Sequence, residues 1–310
     1  MSVVIPTRDR WDLLSRRALR GALMQEDVEH EVIVVDDGST DETAERLRSM
    51  TDDRVRILRH ETAGGAARAR NAGIREARGE WIAFLDDDDY WAPRKLRMQL
   101  DLVRSTRADF AYAGVVTVDD RGFVLHTSSP PDPDRLRYEI IRTCAIPAGS
   151  SNVLARTEVV RQLGGFDESF RNMEDWDLWI RLASAGDAAA LSDVLVACVE
   201  HRGGKAVIGP RDAFVPFHHL ERKHRRLSLD VGVEFDRVAF SHYVAWLQLR
   251  SRRHTSAARV YLTSAIKNRR PEDLIPALKF TARALAPTRR TLRRRERMDF
   301  RTPHWLQLYE

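Results

Sequence analysis

The sequence has little cysteine and no long apolar run, and each absence excludes a class of protein. Cys144 and Cys198 are the two cysteines in 310 residues, and their spacing fits neither a metal-ligand motif nor a redox motif. Such sparse cysteine is typical of a reducing compartment. No stretch approaches the roughly 18 apolar residues that a membrane-spanning helix needs. The N-terminus lacks the basic and apolar regions of a signal peptide, so we expect a cytoplasmic location.

The charge of the chain is unevenly distributed. The formal net charge is +5, with acidic clusters in the N-terminal part and an arginine-rich C-terminal segment. That segment could contact anionic lipid at the inner face of a membrane, or it could be a solvated helix face or an oligomer contact. No nucleic-acid partner is expected, because no aromatic platform accompanies the arginines. These arginines are Arg289, Arg290, Arg293, Arg294, Arg295, Arg297 and Arg301.

Apolar runs and helical patterns alternate over residues 2–103, which predicts an α/β fold with a mostly parallel sheet and helices on both faces. From about residue 205 onward the pattern is helical and basic. We therefore predict an α/β domain over residues 1–205 and a mainly helical, basic region over residues 206–310. The apolar runs that predict the first strands cover residues 3–5, 32–35, 55–58 and 81–85.

Three local predictions concern segments outside this alternation. Residues 127–137 contain Pro130, Pro131 and Pro133 and are predicted to form a loop. The segment from Ser150 to Leu154 is predicted to be a strand. The apolar spacing that begins at Ile275 predicts a helix after Pro271.

Four consecutive aspartates, Asp86 to Asp89, follow the apolar run that ends at Leu85. Adjacent carboxylates repel one another, so a cation is expected to offset their charge, and Mg²⁺ or Mn²⁺ suits oxygen ligands. A solvated acidic turn is the alternative interpretation. Asp37 also follows an apolar run. Because ligands of such sheets bind at the carboxyl ends of the strands, the two acidic positions predict a metal–diphosphate site at that edge.

Short motifs over roughly the first two thirds of the chain resemble those of family-2 glycosyltransferases with the nucleotide-sugar-binding GT-A fold. The resemblance implies a GT-A domain with a C-terminal helical extension. It also implies transfer of a sugar from a nucleoside diphosphate donor, UDP- or dTDP-linked, with inversion at the anomeric carbon. The motifs occur in the family's order: Val3-Val-Ile-Pro-Thr7, Val34-Val-Asp-Asp-Gly-Ser-Thr-Asp-Glu42, Ala67-Arg-Ala-Arg-Asn-Ala-Gly73, Phe84-Leu-Asp-Asp-Asp-Asp89, Gly164-Gly-Phe-Asp167 and Glu174-Asp175.

The resemblance implies roles for residues at the donor site. Asp37 would accept a hydrogen bond from the imide N–H of the base, and Pro6 and Thr7 would line the pocket for the base and ribose. Arg70 would contact the diphosphate or the base. Two of these residues have a purely structural alternative, since Asp37 could be a turn former and Arg70 a solvated helix residue.

The family's DxD motif, which holds a divalent cation and the donor, matches Asp86, Asp87 and Asp88. Asp88 is the predicted metal ligand, while Asp86 and Asp87 are predicted donor contacts, with Asp87 near the ribose or supporting the ligand. Because a fourth aspartate, Asp89, follows, the motif could also align one residue later in the chain. His201 would complete the ligands of Mn²⁺ or Mg²⁺, as a histidine near this position does in some relatives, or it is an ordinary surface histidine.

The catalytic base implied by the resemblance is Asp175, and Glu174 beside it is the second choice. The sugar passes through an oxocarbenium-like state, and a carboxylate on the opposite face deprotonates the acceptor hydroxyl. Both residues fall in the first turn of a predicted helix, where the helix dipole favours carboxylates without any catalytic role. The acceptor could be a glycan, a lipid-linked sugar or a small molecule.

Two other functions fit parts of the pattern. A sugar-nucleotide nucleotidyltransferase also combines an α/β fold with a divalent ion, but the segment from Thr7 to Arg10 lacks the glycine-rich phosphate loop of such an enzyme. A non-catalytic nucleotide-sugar-binding or scaffold module would place the function in the basic C-terminal region. A metal-dependent inverting glycosyltransferase fits the whole pattern, and we expect that function.

Overall fold

The computed structural model describes residues 1–200, 209–285 and 302–309, and these residues group into two compact units. The first unit contains residues 1–140, 144–200 and 302–309, and the second contains residues 141–143 and 209–285. The predicted boundary at residues 205 and 206 falls between the described ranges. The division into 1–205 and 206–310 therefore remains a prediction.

A nine-stranded mixed sheet forms the centre of the first unit. Its strands are β1 (Ser2–Thr7), β2 (Glu31–Asp36), β3 (Val55–Arg59), β4 (Trp81–Phe84), β5 (Tyr90–Trp91), β6 (Phe110–Asp119), β7 (Val124–Ser128), β8 (Leu154–Arg156) and β9 (Ala188–Glu200). They lie in the order β3-β2-β1-β4-β8-β6-β9-β5, and β7 pairs with β6. The strands β1 to β4 are mutually parallel, as predicted, and β6 and β9 form a second parallel pair.

Helices alternate with the first strands of the sheet. A continuous helical segment begins with α1 (Trp11–Leu13), passes through a π-turn (Leu14–Ala18) and ends with α2 (Leu19–Leu23). The remaining helices are α3 (Thr43–Arg48), α4 (Ala66–Glu76), α5 (Lys95–Thr106), α6 (Pro133–Arg142), α7 (Thr157–Gln162) and α8 (Glu174–Ala185). A 3₁₀ turn, Gly149–Asn152, precedes β8.

The central strands are continuous apolar runs because both of their faces are buried. Val3, Val4 and Ile5 of β1 have no exposed surface, and the same holds for Phe84 of β4. Since β1 lies between β2 and β4 and all three are parallel, their carboxyl ends meet at one edge of the sheet.

The predicted loop at residues 127–137 is only partly correct. The strand β7 extends to Ser128, and α6 begins at Pro133. Proline is tolerated at the first position of a helix, where its missing N–H would have no intrahelical partner. Leu136 and Ile140 then bury the inner face of α6, so the helical spacing in this segment was a valid signal that its prolines obscured.

The predicted strand from Ser150 to Leu154 is also wrong in its first part. Ala148 adopts a left-handed conformation with φ 58°, the 3₁₀ turn follows, and β8 begins only at Leu154. The side chain of Asn152 bonds to both the N–H and the C=O of Ala113, at 2.8 and 2.9 Å. The Asn152 side chain therefore makes the hydrogen bonds to Ala113 that the backbone of a neighbouring strand would otherwise make.

The described part of the second unit is helical, with α9 (Pro210–Lys223), α10 (Arg225–Val231), α11 (Arg237–Arg250), α12 (His254–Lys267) and α13 (Leu274–Leu285). The predicted helix after Pro271 is present, but Ile275 and Leu278 are 72% and 71% exposed. The helix packs through its smaller residue Ala277 instead, and Phe280 lies 5.9 Å from the Tyr261 ring of α12. Across the described ranges, we find no helix with the length and apolar character needed to cross a bilayer.

The segment 302–309 packs within the first unit. Leu306 is buried against Val116, Val118, Ala197 and Val199 of β6 and β9. Nearby, the Trp305 indole donates to the carbonyl of Val194, and the Tyr309 hydroxyl donates to the carbonyl of Trp91. The last described residues of the chain therefore support the strands that surround the acidic loop.

Candidate active site

The carboxyl ends of β1, β2 and β4 bring the predicted donor-site residues to one edge of the sheet. Thr7 ends β1, Asp37 follows β2, and the four aspartates follow β4. The Thr7 hydroxyl donates to Asp87 Oδ2 at 2.8 Å, which joins the ends of β1 and β4 directly. Pro6 is buried within β1, opposite Val35 of β2.

Asp87 and Asp88 share one cationic partner. The Arg10 Nη1 atom lies 3.1 Å from Asp87 Oδ1 and 3.1 Å from Asp88 Oδ2. Both aspartates are only 6% exposed. Burial and the charge of Asp88 raise the pKa of Asp87 to about 6, because Arg10 and Thr7 offset only part of the cost of ionising it. Ionising Asp87 beside Asp88 is therefore costly in this structure.

Asp89 points into the protein and is bonded there. Its carboxylate accepts hydrogen bonds from the Ser151 hydroxyl at 2.6 Å and from the Val199 N–H at 2.9 Å. Burial, together with the charges of Asp88 and Asp86, raises the pKa of Asp89 to about 7. Asp89 thus anchors the acidic loop to the 3₁₀ turn and to β9.

Arg70 links the acidic loop to the first turn of α8. Its guanidinium donates to Asp86 Oδ1 and, at 2.9 Å, to Glu174 Oε1, and it lies 5.2 Å from the Phe166 ring centroid. Burial alone would lower the pKa of Arg70, but the charges of Asp86 and Glu174 raise it. With 4% exposure, Arg70 is a buried ion-pair centre and not the solvated helix residue of the alternative interpretation.

Asp175 is half-buried in the first turn of α8, beside Gly149 of the 3₁₀ turn. A Cβ atom at Gly149 would collide with Asp175 Oδ2, so any larger residue there would require this carboxylate to move. In the same turn, the Ser151 hydroxyl accepts a hydrogen bond from the Asp86 N–H at 3.0 Å. One short turn therefore contacts both the acidic loop and the predicted base.

Asp37 holds the glycine-rich segment that precedes α4. Its carboxylate accepts hydrogen bonds from the N–H groups of Gly64 and Gly65 and contacts His60 Nδ1 at 2.7 Å. Burial alone would raise the pKa of Asp37, but the hydrogen bonds from His60, Gly64 and Gly65 lower it. Asp37 is consequently an ionised acceptor at the carboxyl end of β2.

The acidic loop suits a hard divalent cation by the chemistry of its oxygen donors. A cation would lower the cost of ionising Asp87 beside Asp88, and Mg²⁺ commonly completes its ligands with phosphate and water. Within residues 1–200, 209–285 and 302–309, no three His, Cys, Asp or Glu side chains are grouped so as to hold a metal on their own. His201, the predicted additional ligand, lies outside the described residues.

Sequence reasoning missed three residues of this site, Arg10, Ser151 and His60. Arg10 follows β1 by three positions, and its contact with the aspartates depends on β1 and β4 being neighbours in the sheet. The order of the strands in the sheet would have indicated this contact, whereas the periodicity of apolar residues along the chain does not. Ser151 and His60 are likewise recognised only when their spatial partners, Asp89 and Asp37, are known.

Known proteins that resemble this chain over much of its length are glycosyltransferases, as the motifs predicted. The family described as glycosyl transferase family 2 matches residues 2–163. The Escherichia coli protein named UDP-Glc:alpha-D-GlcNAc-diphosphoundecaprenol beta-1,3-glucosyltransferase WfgD is 29% identical over 193 residues, covering 62% of this chain and 73% of that protein. The succinoglycan biosynthesis protein ExoO of Rhizobium meliloti is 34% identical over 214 residues, covering 64% of this chain and 55% of ExoO. An uncharacterized glycosyltransferase of Rickettsia bellii is matched over only 28% of its length.

Solved structures agree on the fold. S. aureus TarS in complex with UDP-GlcNAc aligns with a TM-score of 0.59 and 22% identity, covering 90% of this chain and 80% of the TarS chain. The mannosyltransferase PcManGT from Pyrobaculum calidifontis, in complex with GDP-Man and Mn2+, aligns with a TM-score of 0.52 and 17% identity, covering 91% and 85%. The predicted α/β GT-A fold with C-terminal helices is confirmed. The chain belongs to glycosyl transferase family 2 and is a glycosyltransferase that uses a sugar-nucleotide donor.

Proposed function

We propose that this glycosyltransferase is metal-dependent and inverting, and that it moves a sugar from a UDP- or dTDP-linked donor to an acceptor hydroxyl with Asp175 as base. The observation that carries this proposal is the link between the acidic loop and α8. Arg70 joins Asp86 to Glu174, and the 3₁₀ turn contacts both Asp86 and Asp175. A donor diphosphate at the loop would therefore lie near a carboxylate suited to activate an acceptor.

In this proposal Asp88 binds the cation, and Asp86 and Asp87 support the donor. The bonds of Asp89 to Ser151 and Val199 favour this register, because they hold Asp89 inside the protein. When bound, Mn²⁺ or Mg²⁺ stabilises the negative charge that develops on the departing diphosphate. Thr7 fixes the orientation of the Asp87 carboxylate through its hydrogen bond.

Asp175 is proposed to take the proton of the acceptor hydroxyl. The acceptor oxygen then forms a bond to the anomeric carbon from the face opposite the diphosphate, whose bond to that carbon breaks, so the configuration inverts. Glu174 is the weaker candidate for this role because its carboxylate is paired with Arg70 at 2.9 Å. That pairing occupies a Glu174 oxygen that would otherwise be available to the acceptor hydroxyl.

Base recognition is proposed to involve Asp37, with Pro6 and Thr7 beside the base and ribose. Asp37 accepts hydrogen bonds from the N–H groups of Gly64 and Gly65. An imide N–H of uracil or thymine would share or replace these bonds. Donor binding would then reposition the glycine segment at the start of α4.

A lipid-linked acceptor is our leading proposal for the second substrate. WfgD and WfaP of Escherichia coli are named for glucosyl transfer to a GlcNAc-diphosphoundecaprenol. An acceptor of that class would suit a cytoplasmic enzyme with peripheral contact at the inner face of the membrane. The arginine-rich segment predicted to make this contact lies outside the described residues.

The metal and donor assignments are tested by thermal unfolding with UDP, dTDP, GDP, CDP or ADP, each with Mn²⁺, Mg²⁺ or EDTA. A ligand that binds only the folded state raises the melting temperature. We expect a shift with UDP or dTDP that requires the cation and disappears in Asp88→Asn. Asp101→Asn, at an exposed position of α5, is the charge-matched control. An unchanged shift in Asp88→Asn would exclude Asp88 as the ligand.

The base assignment is tested by Asp175→Asn with UDP-glucose or dTDP-glucose and a diphosphate-linked GlcNAc acceptor. We expect transfer to fall by about 10²- to 10⁴-fold, because general base catalysis is lost, while the affinity for UDP stays near that of the original protein. Glu174→Gln is the comparison variant. Full transfer by Asp175→Asn together with loss in Glu174→Gln would move the role to Glu174.

A further inference from the structure

Arg10 occupies the space between two carboxylates that a cation is proposed to use. A single nitrogen, Nη1, lies 3.1 Å from an oxygen of Asp87 and 3.1 Å from an oxygen of Asp88. The Arg10 side chain is 47% exposed, whereas each aspartate side chain is 8% exposed. The guanidinium thus reaches from the surface into a buried acidic pair.

The same oxygen cannot serve the guanidinium and a divalent cation without cost. Arginine stays protonated at all ordinary pH values, so Arg10 would repel a cation at this position as well as block lone pairs of Asp88. The arginine end of this ion pair is nevertheless 47% exposed, so the guanidinium can move into water without leaving a buried cation behind. A divalent cation, with its higher charge, could therefore displace the Arg10 guanidinium from Asp87 and Asp88.

We propose that Arg10 is a built-in counter-ion that competes with the divalent cation for Asp87 and Asp88, so that cation binding requires Arg10 to move away. This inference rests on the metal dependence put forward under the proposed function. It adds a coupling between ligands: the donor diphosphate offers the cation further oxygens and offers the displaced guanidinium an anion. Donor and cation should each bind more tightly in the presence of the other.

The test is Mn²⁺ binding to Arg10→Ala without any nucleotide, measured by the electron paramagnetic resonance signal of free Mn²⁺ and by titration calorimetry. We expect the dissociation constant for Mn²⁺ to fall by about two- to fivefold, the range set by one partly exposed ion pair. The ratio of the dissociation constants without and with UDP should shrink, because part of the coupling is removed.

Arg8→Ala is the matched control. It removes the same charge two positions away, but Arg8 pairs with Asp9 and not with the acidic loop. Arg10→Gln repeats the measurement with a neutral side chain of similar length, and circular dichroism verifies folding. Unchanged or weaker Mn²⁺ binding in both Arg10 variants would overturn this inference alone. Absence of Mn²⁺ binding in the original protein, with and without UDP, would reject the proposed metal dependence and this inference with it.

Discussion

Neighbouring aspartates of the acidic loop meet very different surroundings. Asp87 and Asp88 share Arg10, Asp86 contacts Arg70, and Asp89 is bonded to the Ser151 hydroxyl and the Val199 N–H. The repulsion among four carboxylates was predictable from the sequence alone. Which carboxylate turns inward was not, because that choice depends on backbone and hydroxyl donors supplied by β9 and the 3₁₀ turn.

The raised pKa of Asp89 predicts a pH-dependent stability. Between the ordinary pKa of aspartate and about 7, the folded protein holds a proton that the unfolded chain has released. The free energy of unfolding should therefore decrease as the pH rises through this interval, by at most about 1.4 kcal/mol per pH unit from one carboxyl group. Thermal unfolding in EDTA between about pH 5 and pH 8 measures this slope.

Asp89→Asn should reduce that slope, because its amide does not titrate and can still accept the Val199 N–H. The part that remains is expected from Asp87, whose pKa is also raised, to about 6. Asp101→Asn removes an exposed carboxylate and should leave the slope as it is. If Asp89→Asn and the original protein lose stability equally as the pH rises, Asp89 is not the titrating group.

At the scale of elements, the sequence predicted what depends on local pattern. The apolar runs of β1, β2 and β4 and the first turn of α8 were found where expected, since burial on two faces and helix periodicity leave direct signals. The 3₁₀ turn was mistaken for a strand because its order comes from Asn152, whose partner Ala113 lies far away in the chain. Exposure of Ile275 was equally unpredictable, since it depends on which face of α13 meets α12.

The 3₁₀ turn leads to a prediction about Gly149. Gly149 has φ 48°, and a Cβ atom there would displace the Asp175 carboxylate. Gly149→Ala should lower kcat by about ten- to hundredfold, the cost of a misplaced catalytic group, with little change in UDP affinity. Transfer kinetics and a UDP titration would measure the two effects separately.

Gly164→Ala is the control for backbone strain. Gly164 also has a positive φ, 79°, but nothing lies within 4 Å of its Cβ position. Both variants should lose about 1–2 kcal/mol of stability for the left-handed conformation, and only Gly149→Ala should lose activity beyond that. Equal activities in the two variants would argue against a steric role for Gly149 at Asp175.

At the scale of the whole molecule, the first unit is built from segments that are distant in sequence. The first unit uses residues 1–140 and 144–200 together with the segment 302–309, which is separated from them by the second unit in sequence. The segment contributes a buried leucine and donates two hydrogen bonds, one to a carbonyl of β9 and one to a carbonyl of β5. Sequence patterns gave no sign of this return, because a short 3₁₀ segment has no extended periodicity.

Because the segment 302–309 packs within the first unit, we predict that a residue near the end of the chain stabilises this unit. Leu306→Ala should lower the free energy of unfolding by about 2–5 kcal/mol, as expected for a buried leucine. Leu308→Ala, at a position that is 43% exposed, should have a small effect. Chemical denaturation followed by circular dichroism compares the two, and equal losses would mean that the segment does not pack as described.

The hydrogen bond between Tyr309 and Trp91 joins residues that are 218 positions apart. Forming a contact between such distant positions carries an entropic cost of loop closure. We therefore expect the segment 302–309 to bind the catalytic unit as a tethered ligand, with an occupancy set by the effective concentration that the intervening chain provides. A separate peptide with the same residues would compete with the chain's own end for one binding surface beside the acidic loop.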